Sequence, residues 1–328
     1  MSAEDLRRHG VVVLPILSDY KQWSERIWTA MDEFPEYKVK GKRVQRVLGG
    51  FGALGNPSSF HHPTIRALRK ELKSRVGPFF KSYAQGVRLE MLMDRVCVRH
   101  RDFGTVSAES WHRDVYGGPK PLRESDEVFG GWVNLSENTQ ELVVLLGTHN
   151  DTRDATTGFA TQENDGCLTE RLRTQKSDTI RLNKKGHVEV PPGHAVIFVQ
   201  HILHAVLGGK QPNTEELRLF CGYRLTSDTE SLMEYDTVNM SVPRIPSGQL
   251  PPMYSQNHYM FFNKYQKFRE WAEKTFHSQC LFERTTKDGQ KYYTPGGKTR
   301  TLPSLKDMGF HLPPYTDEDL KTLSPELL

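Results

Sequence analysis

The segment PGHAVIFVQHILH (residues 192–204) holds a short apolar strand that follows a Pro-Gly turn signal and ends near two histidines. Similar apolar runs, separated by Gly, Pro and Asn turn signals, predict further strands along the middle of the chain. The predicted strands are 89–99, 131–135, 142–146, 187–190, 195–199 and 217–225. No crossover helix of the right length is predicted between the later strands. The pattern therefore favours a β-sandwich or barrel over a doubly wound parallel sheet.

Helices are predicted on the N-terminal side of these strands. A β-branched run from Val11 to Leu14, ended by Pro15, predicts a first strand. Two helices follow, one after Ser18 and one after Pro63, because apolar residues recur there at helical spacing. The apolar residues are Trp23, Ile27, Met31 and Phe34 in the first helix, and Ile65, Leu68, Leu72 and Val76 in the second. The predicted fold class is mainly β with flanking helices (α+β).

Two further regions differ from the strand pattern. The connection from His149 to Gly186 is too long for an ordinary hairpin turn, and we interpret it as a functional loop. Beyond residue 229, aromatic residues at helical spacing predict a helix over 259–271, and Asp288-Gly289 predicts a hairpin. A tail with one short helix is predicted after Pro303. We expect a main domain over 1–228 and a C-terminal extension, 229–328, packed on its core.

Composition excludes several classes of protein. The chain has 328 residues and a formal net charge of +4, from 44 basic and 40 acidic residues. Hydrophobic residues make up 36%, which excludes intrinsic disorder, and no apolar run reaches the roughly 20 residues of a membrane helix. Charges near the N-terminus argue against a secretory signal, and the four cysteines are too far apart for zinc-finger pairs. We expect a soluble protein, cytoplasmic or otherwise intracellular, without a membrane partner.

The sharpest local motif is WHRD (111–114). Side chains two residues apart on an extended segment lie on the same side, so His112 and Asp114 can share one metal ion. A surface histidine beside an aspartate is the simpler explanation of such a pair, and a third ligand must come from elsewhere. Two histidines and one carboxylate form the facial triad of non-haem iron(II) oxygenases. Both His201 and His204 are candidates for the third ligand.

An arginine follows these histidines in the strand-like segment LRLFCGY (217–223). Burying the guanidinium of Arg218 is costly unless it meets an anion, and its planar fork suits a carboxylate. Either a structural salt bridge or a bound carboxylate satisfies this requirement. An HxD motif, a distal histidine and a following strand arginine, in this order, are much more specific together than apart.

Four segments of the chain resemble the phytanoyl-CoA dioxygenase-like family of iron(II)/2-oxoglutarate-dependent oxygenases. They are LRRHGVVVLP (6–15), WHRD (111–114), WVNLS (132–136) with ELVVLLGTHN (141–150), and the stretch from 192 through His204 to Arg218. The resemblance implies a double-stranded β-helix, a jelly-roll, cupin-like core, and makes 1–228 an oxygenase domain with an N-terminal helical part. Residues 229–328 have no counterpart that we can identify in the family.

The resemblance also implies a site. His112, Asp114 and His204 are the implied catalytic residues and ligands of Fe(II). His204 is preferred to His201 because the family's distal histidine follows the strand's aromatic residue at the spacing of Phe198 and His204. Arg218 is implied to bind the far carboxylate of 2-oxoglutarate.

Two further features bear on this pocket. Asn134 shares a strand face with Trp132 and is a candidate for lining the cosubstrate pocket, whereas Trp132 is expected to pack. The chain departs from the family at Ala205-Val206, where relatives often carry a hydroxyl that assists the carboxylate. His149 and His194 are expected to be turn residues.

The implied activity is hydroxylation of a C–H bond with Fe(II), 2-oxoglutarate and O2. Two alternatives stay open: a non-catalytic jelly-roll binding or scaffold protein, and a jelly-roll metalloenzyme that uses no keto acid. Basic residues within 38–46 and 171–185 favour an anionic substrate, such as a CoA-like thioester, a carboxylated metabolite or nucleic acid. We expect a small molecule or a protein side chain, and rank nucleic acid lower because no basic-aromatic stripe is evident.

Overall fold

A computed structural model describes the parts of the chain that form the two main sheets and the helices beside them. The described residues are 2–32, 61–99, 109–114, 123–150, 159–164, 167–172, 185–206, 216–232, 237, 238, 240, 281–285, 291–295 and 311–328. For some strand residues, His112 and Asp114 among them, the description covers the backbone alone. The helix predicted over 259–271 and the basic segment 38–46 lie outside the described residues.

The described elements are mostly short strands. The helices are α1 (Ala3–His9), α2 (Tyr20–Asp32), α3 (Pro63–Tyr83) and α4 (Asp317–Thr322). The strands are β1 (Val11–Pro15), β2 (Arg88–Arg99), β3 (Glu109–Asp114), β4 (Glu127–Asn134), β5 (Gln140–Leu145), β6 (Phe159–Asn164), β7 (Cys167–Leu172), β8 (Lys185–Val190), β9 (His194–Val199), β10 (His204–Val206), β11 (Glu216–Thr226), β12 (Leu281–Thr285), β13 (Lys291–Pro295) and β14 (Glu326–Leu327). All six strands predicted in the middle of the chain are present, with ends shifted by a few residues.

Two six-stranded antiparallel sheets form the body of the protein. The first has the strand order β1-β9-β4-β11-β2-β14, and the second has the order β6-β7-β3-β10-β5-β8. Consecutive strands often lie in different sheets, so the chain crosses repeatedly between them. This is the double-stranded β-helix, or jelly-roll, core, and the predicted fold class, mainly β with flanking helices, is confirmed.

Apolar side chains from both sheets pack into one inner cluster. Trp132 and Phe198 come from the first sheet, and Leu142 and Val144 come from the second. The opposite face of the first sheet carries a second cluster, which includes Leu217 and residues of the helices. Each strand of the first sheet therefore alternates between an inner face toward the second sheet and an outer face toward the helices.

Helix α3 covers the outer face of the first sheet. Pro63 stands in its first turn, and the His62 side chain accepts a hydrogen bond from the Thr64 backbone N–H at 3.2 Å, which caps the helix start. The predicted apolar face is confirmed, because all four of its residues are fully buried: Ile65, Leu68, Leu72 and Val76. In α2, Trp23 and Ile27 are buried as predicted.

The long connection after His149 contains two strands that the sequence analysis did not predict. The structure contains an antiparallel hairpin there, β6 paired with β7, which extends the second sheet beyond β3. The segments FATQEN (159–164) and CLTERL (167–172) lack the regular alternation of apolar and polar residues that predicts a strand. Within the described residues, no helix combines the length and hydropathy needed to span a membrane.

The C-terminal part forms two described units. Strands β12 and β13 pair as the hairpin predicted around Asp288-Gly289. Residues 311–328 contain the predicted short helix, α4, and the small strand β14, which pairs with the edge of β2. Buried Lys73 of α3 donates hydrogen bonds to the carbonyls of Thr322 (3.0 Å) and Ser324 (2.6 Å). The division at residue 228 stays a prediction.

Candidate active site

Backbone pairing brings the two halves of the predicted metal motif side by side. His204 begins β10 and lies directly opposite His112 of β3 on one side and Val144 of β5 on the other. Positions directly opposite in an antiparallel pair have Cα atoms about 5 Å apart and share a face of the sheet. Asp114 follows two positions along β3. The side chains of His112 and Asp114 lie outside the described part of the chain.

The His204 side chain has the environment that a metal-binding histidine needs. Its ring is buried, with 6% of the residue's surface exposed, and lies 5.0 Å from the Phe198 ring centroid in the inner cluster. Nδ1 is 3.1 Å from the carbonyl oxygen of Ile202. Because a carbonyl can only accept, this contact requires a hydrogen on Nδ1, and in the neutral ring with that tautomer Nε2 is the atom whose lone pair can bind a metal. A backbone partner of this kind fixes the tautomer and ring orientation.

His201, the other candidate ligand, has a different environment. It is exposed, and it does not belong to a strand. Its backbone carbonyl accepts a hydrogen bond from the guanidinium of Arg113, which also donates to the Thr148 carbonyl at 2.8 Å. Arg113 stands between His112 and Asp114 and is buried. It therefore ties the segment before His204 to β3, a role that the sequence analysis did not predict.

Arg218 lies on the inner face of the opposite sheet. Its position on β11 is paired with Asn134 of β4, and its guanidinium carbon stacks 4.1 Å from the centroid of the Trp132 ring. Its Nε donates to Oε1 of Gln140, and its Nη2 lies 3.8 Å from Oε2 of Glu216. Only 5% of the surface of Arg218 is exposed. A guanidinium in such surroundings interacts strongly with an anion because water does not screen it.

Asn134 is buried and fully engaged by the protein. Its amide nitrogen donates to the carbonyls of Asn138 (2.7 Å) and Val190 (2.8 Å). Its amide oxygen accepts from the Ser136 backbone N–H (2.9 Å) and from Nε2 of Gln140 (2.7 Å). These four bonds use the hydrogen-bonding capacity of a carboxamide. The geometry suits support of neighbouring residues better than direct contact with a cosubstrate, which was its predicted role.

Gln140 is the residue of this region that the sequence analysis missed. It is the first residue of β5, is buried, and joins Arg218 to Asn134 and to Oγ of Ser136 (2.9 Å). A single glutamine before an apolar strand gives no sequence signal, since its role arises from contact with β11. The two other histidines of interest bond to backbone carbonyls near turns: His149 Nε2 lies 2.8 Å from the Arg7 oxygen, and His194 Nδ1 lies 3.0 Å from the Pro192 oxygen.

No three described side chains of His, Cys, Asp or Glu lie close enough together to hold a metal ion. That set does not contain the side chains of His112 and Asp114. The described geometry thus consists of one buried imidazole opposite position 112, and a buried guanidinium on the facing sheet.

Comparison with known proteins gave one family match. Residues 6–208 match the family model described as phytanoyl-CoA dioxygenase (PhyH). A search of curated protein sequences gave no match.

Several solved structures are similar in fold. The epimerase SnoN of nogalamycin biosynthesis, in complex with Fe3+ and alpha ketoglutarate, has a TM-score of 0.47 at 13% identity, covering 76% of this chain and 93% of its own. EctD from S. alaskensis has a TM-score of 0.46 at 15% identity, covering 70% and 77%. HygX from Streptomyces hygroscopicus has a TM-score of 0.43 at 15% identity, covering 68% and 87%.

Proposed function

This chain belongs to the phytanoyl-CoA dioxygenase family, and from that premise we propose that it is an iron(II)- and 2-oxoglutarate-dependent dioxygenase that hydroxylates an organic substrate. The family's chemistry uses iron(II), 2-oxoglutarate and dioxygen. The matched span includes His112, Asp114 and His204, and Arg218 lies beyond its end. The observation that carries the proposal is the pairing of His204 with His112 across β10 and β3.

The residues present fit a ferrous ion. We assign His112, Asp114 and His204 as its ligands, a set of two imidazoles and one carboxylate that suits non-haem iron. The buried His204 ring, with its hydrogen on Nδ1, supports this assignment because the lone pair is then on Nε2. When bound, iron together with 2-oxoglutarate and dioxygen supplies an oxidant able to hydroxylate a C–H bond.

Arg218 is assigned to the far carboxylate of 2-oxoglutarate. Its stacking on Trp132 and its burial support this role, since a guanidinium in a low-dielectric site pairs strongly with a carboxylate. Phe198 and Val144 are apolar neighbours of His204, and they exclude bulk water from the space beside its ring. The balanced reaction converts R–H, 2-oxoglutarate and O2 into R–OH, succinate and CO2.

The register of the second sheet supports an anionic group on the substrate. Arg171 of β7 is the direct partner of His112, and Thr169 is the partner of Asp114. Cross-strand partners share a face of the sheet, so position 171 is the basic position beside the proposed metal site. We therefore propose a small molecule or protein side chain that carries a carboxylate, phosphate or thioester-linked anionic group.

The first alternative is a binding or scaffold protein that has the same jelly-roll fold but catalyses no reaction. A scaffold has no need for a buried histidine opposite the HxD position together with a buried arginine on the facing strand. A jelly-roll metalloenzyme without a keto acid is the other alternative. In that enzyme Arg218 would have a structural role only, through its ion pair with Glu216 and its stacking on Trp132.

Succinate release tests the proposed activity. Purified protein is incubated with 2-oxoglutarate, oxygen and cell extract, with and without Fe(II), and mass spectrometry follows succinate and any product that gains one oxygen atom. We expect succinate only when iron is present, and none with His112→Ala. We also expect Arg218→Ala to bind iron but not 2-oxoglutarate. Iron binding without any affinity for 2-oxoglutarate would favour the metalloenzyme alternative, and failure to bind iron would favour the scaffold.

A further inference from the structure

Successive positions of the WHRD motif lie on alternate faces of the second sheet. Positions 112 and 114 share the face that carries His204, so Trp111 and Arg113 lie on the opposite, outer face. Arg113 is buried, with only 5% of its surface exposed, and Trp111 is half-buried. Arginine is rarely buried unless the protein engages its donors, so the partners of Arg113 indicate what it does.

Arg113 binds the segment that leads into β10 and carries His204. Its Nη1 donates to the carbonyl oxygen of His201 and, at 2.8 Å, to that of Thr148. The first carbonyl lies three residues before His204, and the second belongs to the turn after β5. Because β10 lies between β3 and β5, these two bonds join all three strands on the face away from the proposed iron site.

Thr148 holds the same segment from the side of β5. Its Oγ1 accepts from the Leu203 backbone N–H at 3.0 Å and donates to the Leu145 carbonyl at 2.7 Å. The Leu145 backbone N–H donates in turn to the Leu203 carbonyl at 2.8 Å. The side chains of both leucines are fully buried, and Trp111 packs against them. Residues 201–203 are therefore attached to both neighbouring strands before His204 begins β10.

The orientation of the His204 ring depends on this segment as well as on its own strand. Nδ1 of the ring lies 3.1 Å from the Ile202 carbonyl oxygen, and the Ile202 backbone N–H donates to the Val199 carbonyl at 2.9 Å. A shift of residues 201–203 would move both the Cα of His204 and the acceptor that orients its ring. Partners that orient a metal ligand in this way strengthen metal binding, because less freedom is lost when the ion arrives.

We propose that Arg113, together with Thr148, is a positioning residue for the iron site, which it fixes from the outer face of the sheet. The WHRD motif then acts on both faces: His112 and Asp114 bind the ion, and Arg113 between them holds the segment that supplies the distal histidine. This rests on the proposed function, because it assumes that His112, Asp114 and His204 bind iron.

Four variants separate positioning from general stability. Arg113→Met keeps an unbranched side chain but removes the donors to both carbonyls. Thr148→Val removes the hydroxyl at nearly constant volume, and Thr148→Ser retains it. Arg66→Met is the matched control, since Arg66 is also a buried arginine that donates to two backbone carbonyls, those of Pro313 and Pro314. Anaerobic titration gives the Kd for Fe(II), and thermal unfolding gives the stability of each variant.

We expect the Kd for Fe(II) to rise about tenfold in Arg113→Met and severalfold in Thr148→Val. Thr148→Ser should keep its Kd within about twofold, because its hydroxyl can make the same two bonds. Arg66→Met is expected to lose stability like Arg113→Met and to keep its Kd within about twofold. If Arg113→Met does not fold, the two Thr148 variants carry the test. An unchanged Kd in folded Arg113→Met or in Thr148→Val, or an equal loss of affinity in Thr148→Ser or Arg66→Met, would overturn the proposal.

A second readout needs no iron. In metal-free protein the Leu203 amide should exchange slowly with solvent, and exchange should become faster in Arg113→Met although its acceptor, Thr148 Oγ1, is still present. In Arg66→Met the exchange should stay slow. Equal exchange in Arg113→Met and the unsubstituted protein would overturn the positioning role. If Leu203 responds as expected while the unsubstituted protein binds no iron, the proposed function is wrong although the contact exists, so the two failures can be told apart.

Discussion

Among single residues, Arg171 bears on the nature of the substrate, because its position is paired with His112. Replacing Arg171 with Gln removes one positive charge and keeps a polar side chain. We expect inorganic phosphate, as a probe anion, to bind the Fe(II)- and 2-oxoglutarate-loaded protein about tenfold more weakly, a change of ~1.4 kcal/mol. Anaerobic calorimetry measures this difference.

Lys185 provides the matched control, since it is exposed at the start of β8, the edge strand of the same sheet. Lys185→Gln makes the same charge change and should leave phosphate affinity within about twofold. Equal affinity in Arg171→Gln and the unsubstituted protein contradicts the prediction, as does an unsubstituted protein that binds no phosphate. A loss of iron affinity in Arg171→Gln would instead make Arg171 a partner of Asp114.

How far single residues could be predicted depends on where their partners lie. Family spacing selected His204 over His201 as a ligand, which stays a prediction; the structure adds that His204 is buried and that His201 is exposed. Arg218 could be selected because a strand arginine must meet an anion. Gln140 could not, because its contact with Arg218 joins β5 to β11, which is 78 residues away in sequence. The role of Arg113 could not be predicted either, because the carbonyls that accept its hydrogen bonds belong to Thr148 and His201, far along the chain.

Among the elements, α4 is attached to α3 through a buried arginine. Arg66 is 3% exposed and donates to Oδ2 of Asp319 at 3.0 Å, and to the carbonyls of Pro313 and Pro314. Asp319 also forms a capping box with Thr316. Burial raises the pKa of the Asp319 carboxyl, but the Thr316 backbone N–H and the Arg66 guanidinium outweigh this and hold that pKa below its ordinary value.

The lowered pKa of Asp319 gives a pH dependence with a definite sign. A depressed folded-state pKa stabilises the fold above the ordinary carboxyl pKa of about 4, and this stabilisation is lost as pH falls through the lowered pKa. We expect Asp319→Asn to lower the free energy of unfolding by about 1.5 kcal/mol at pH 7, and the difference to vanish at acidic pH. Denaturant unfolding of both proteins from pH 7 to acid measures it.

The neighbouring acid serves as control for this prediction. Glu318 pairs with Lys70 at the surface, where both side chains are more than half exposed, and an exposed pair contributes little. Glu318→Gln should therefore leave the unfolding free energy nearly unchanged across the same pH range. A difference for Asp319→Asn that stays constant into acid would show that the carboxylate charge is not what stabilises this contact.

Elements were predictable where their pattern was strong. Pro63 and the apolar residues at helical spacing after it predict the 21-residue helix α3. The strands of the first sheet are rich in buried apolar residues, which gave their positions. The β6–β7 hairpin was missed because β6 has only two apolar residues in six, and because the apolar residues of β7 (Cys167, Leu168 and Leu172) do not alternate regularly with polar ones.

For the whole molecule, the class of fold could be predicted and the strand order could not. Short strands without crossover helices indicate two antiparallel layers, which are present. The strand pairs that carry the candidate site residues, β3 with β10 and β4 with β11, are distant in sequence, and no local pattern encodes such pairings. Only the resemblance to the family supplied that part of the architecture.

The central claim is that the chain forms one iron site where β3 pairs with β10. Ferrous titration of metal-free protein under anaerobic conditions tests it most directly, with His204→Ala and His201→Ala compared side by side. We predict one Fe(II) per chain for the unsubstituted protein and for His201→Ala, and loss of tight binding in His204→Ala. Unimpaired iron binding by His204→Ala, or its loss in His201→Ala, would contradict the account.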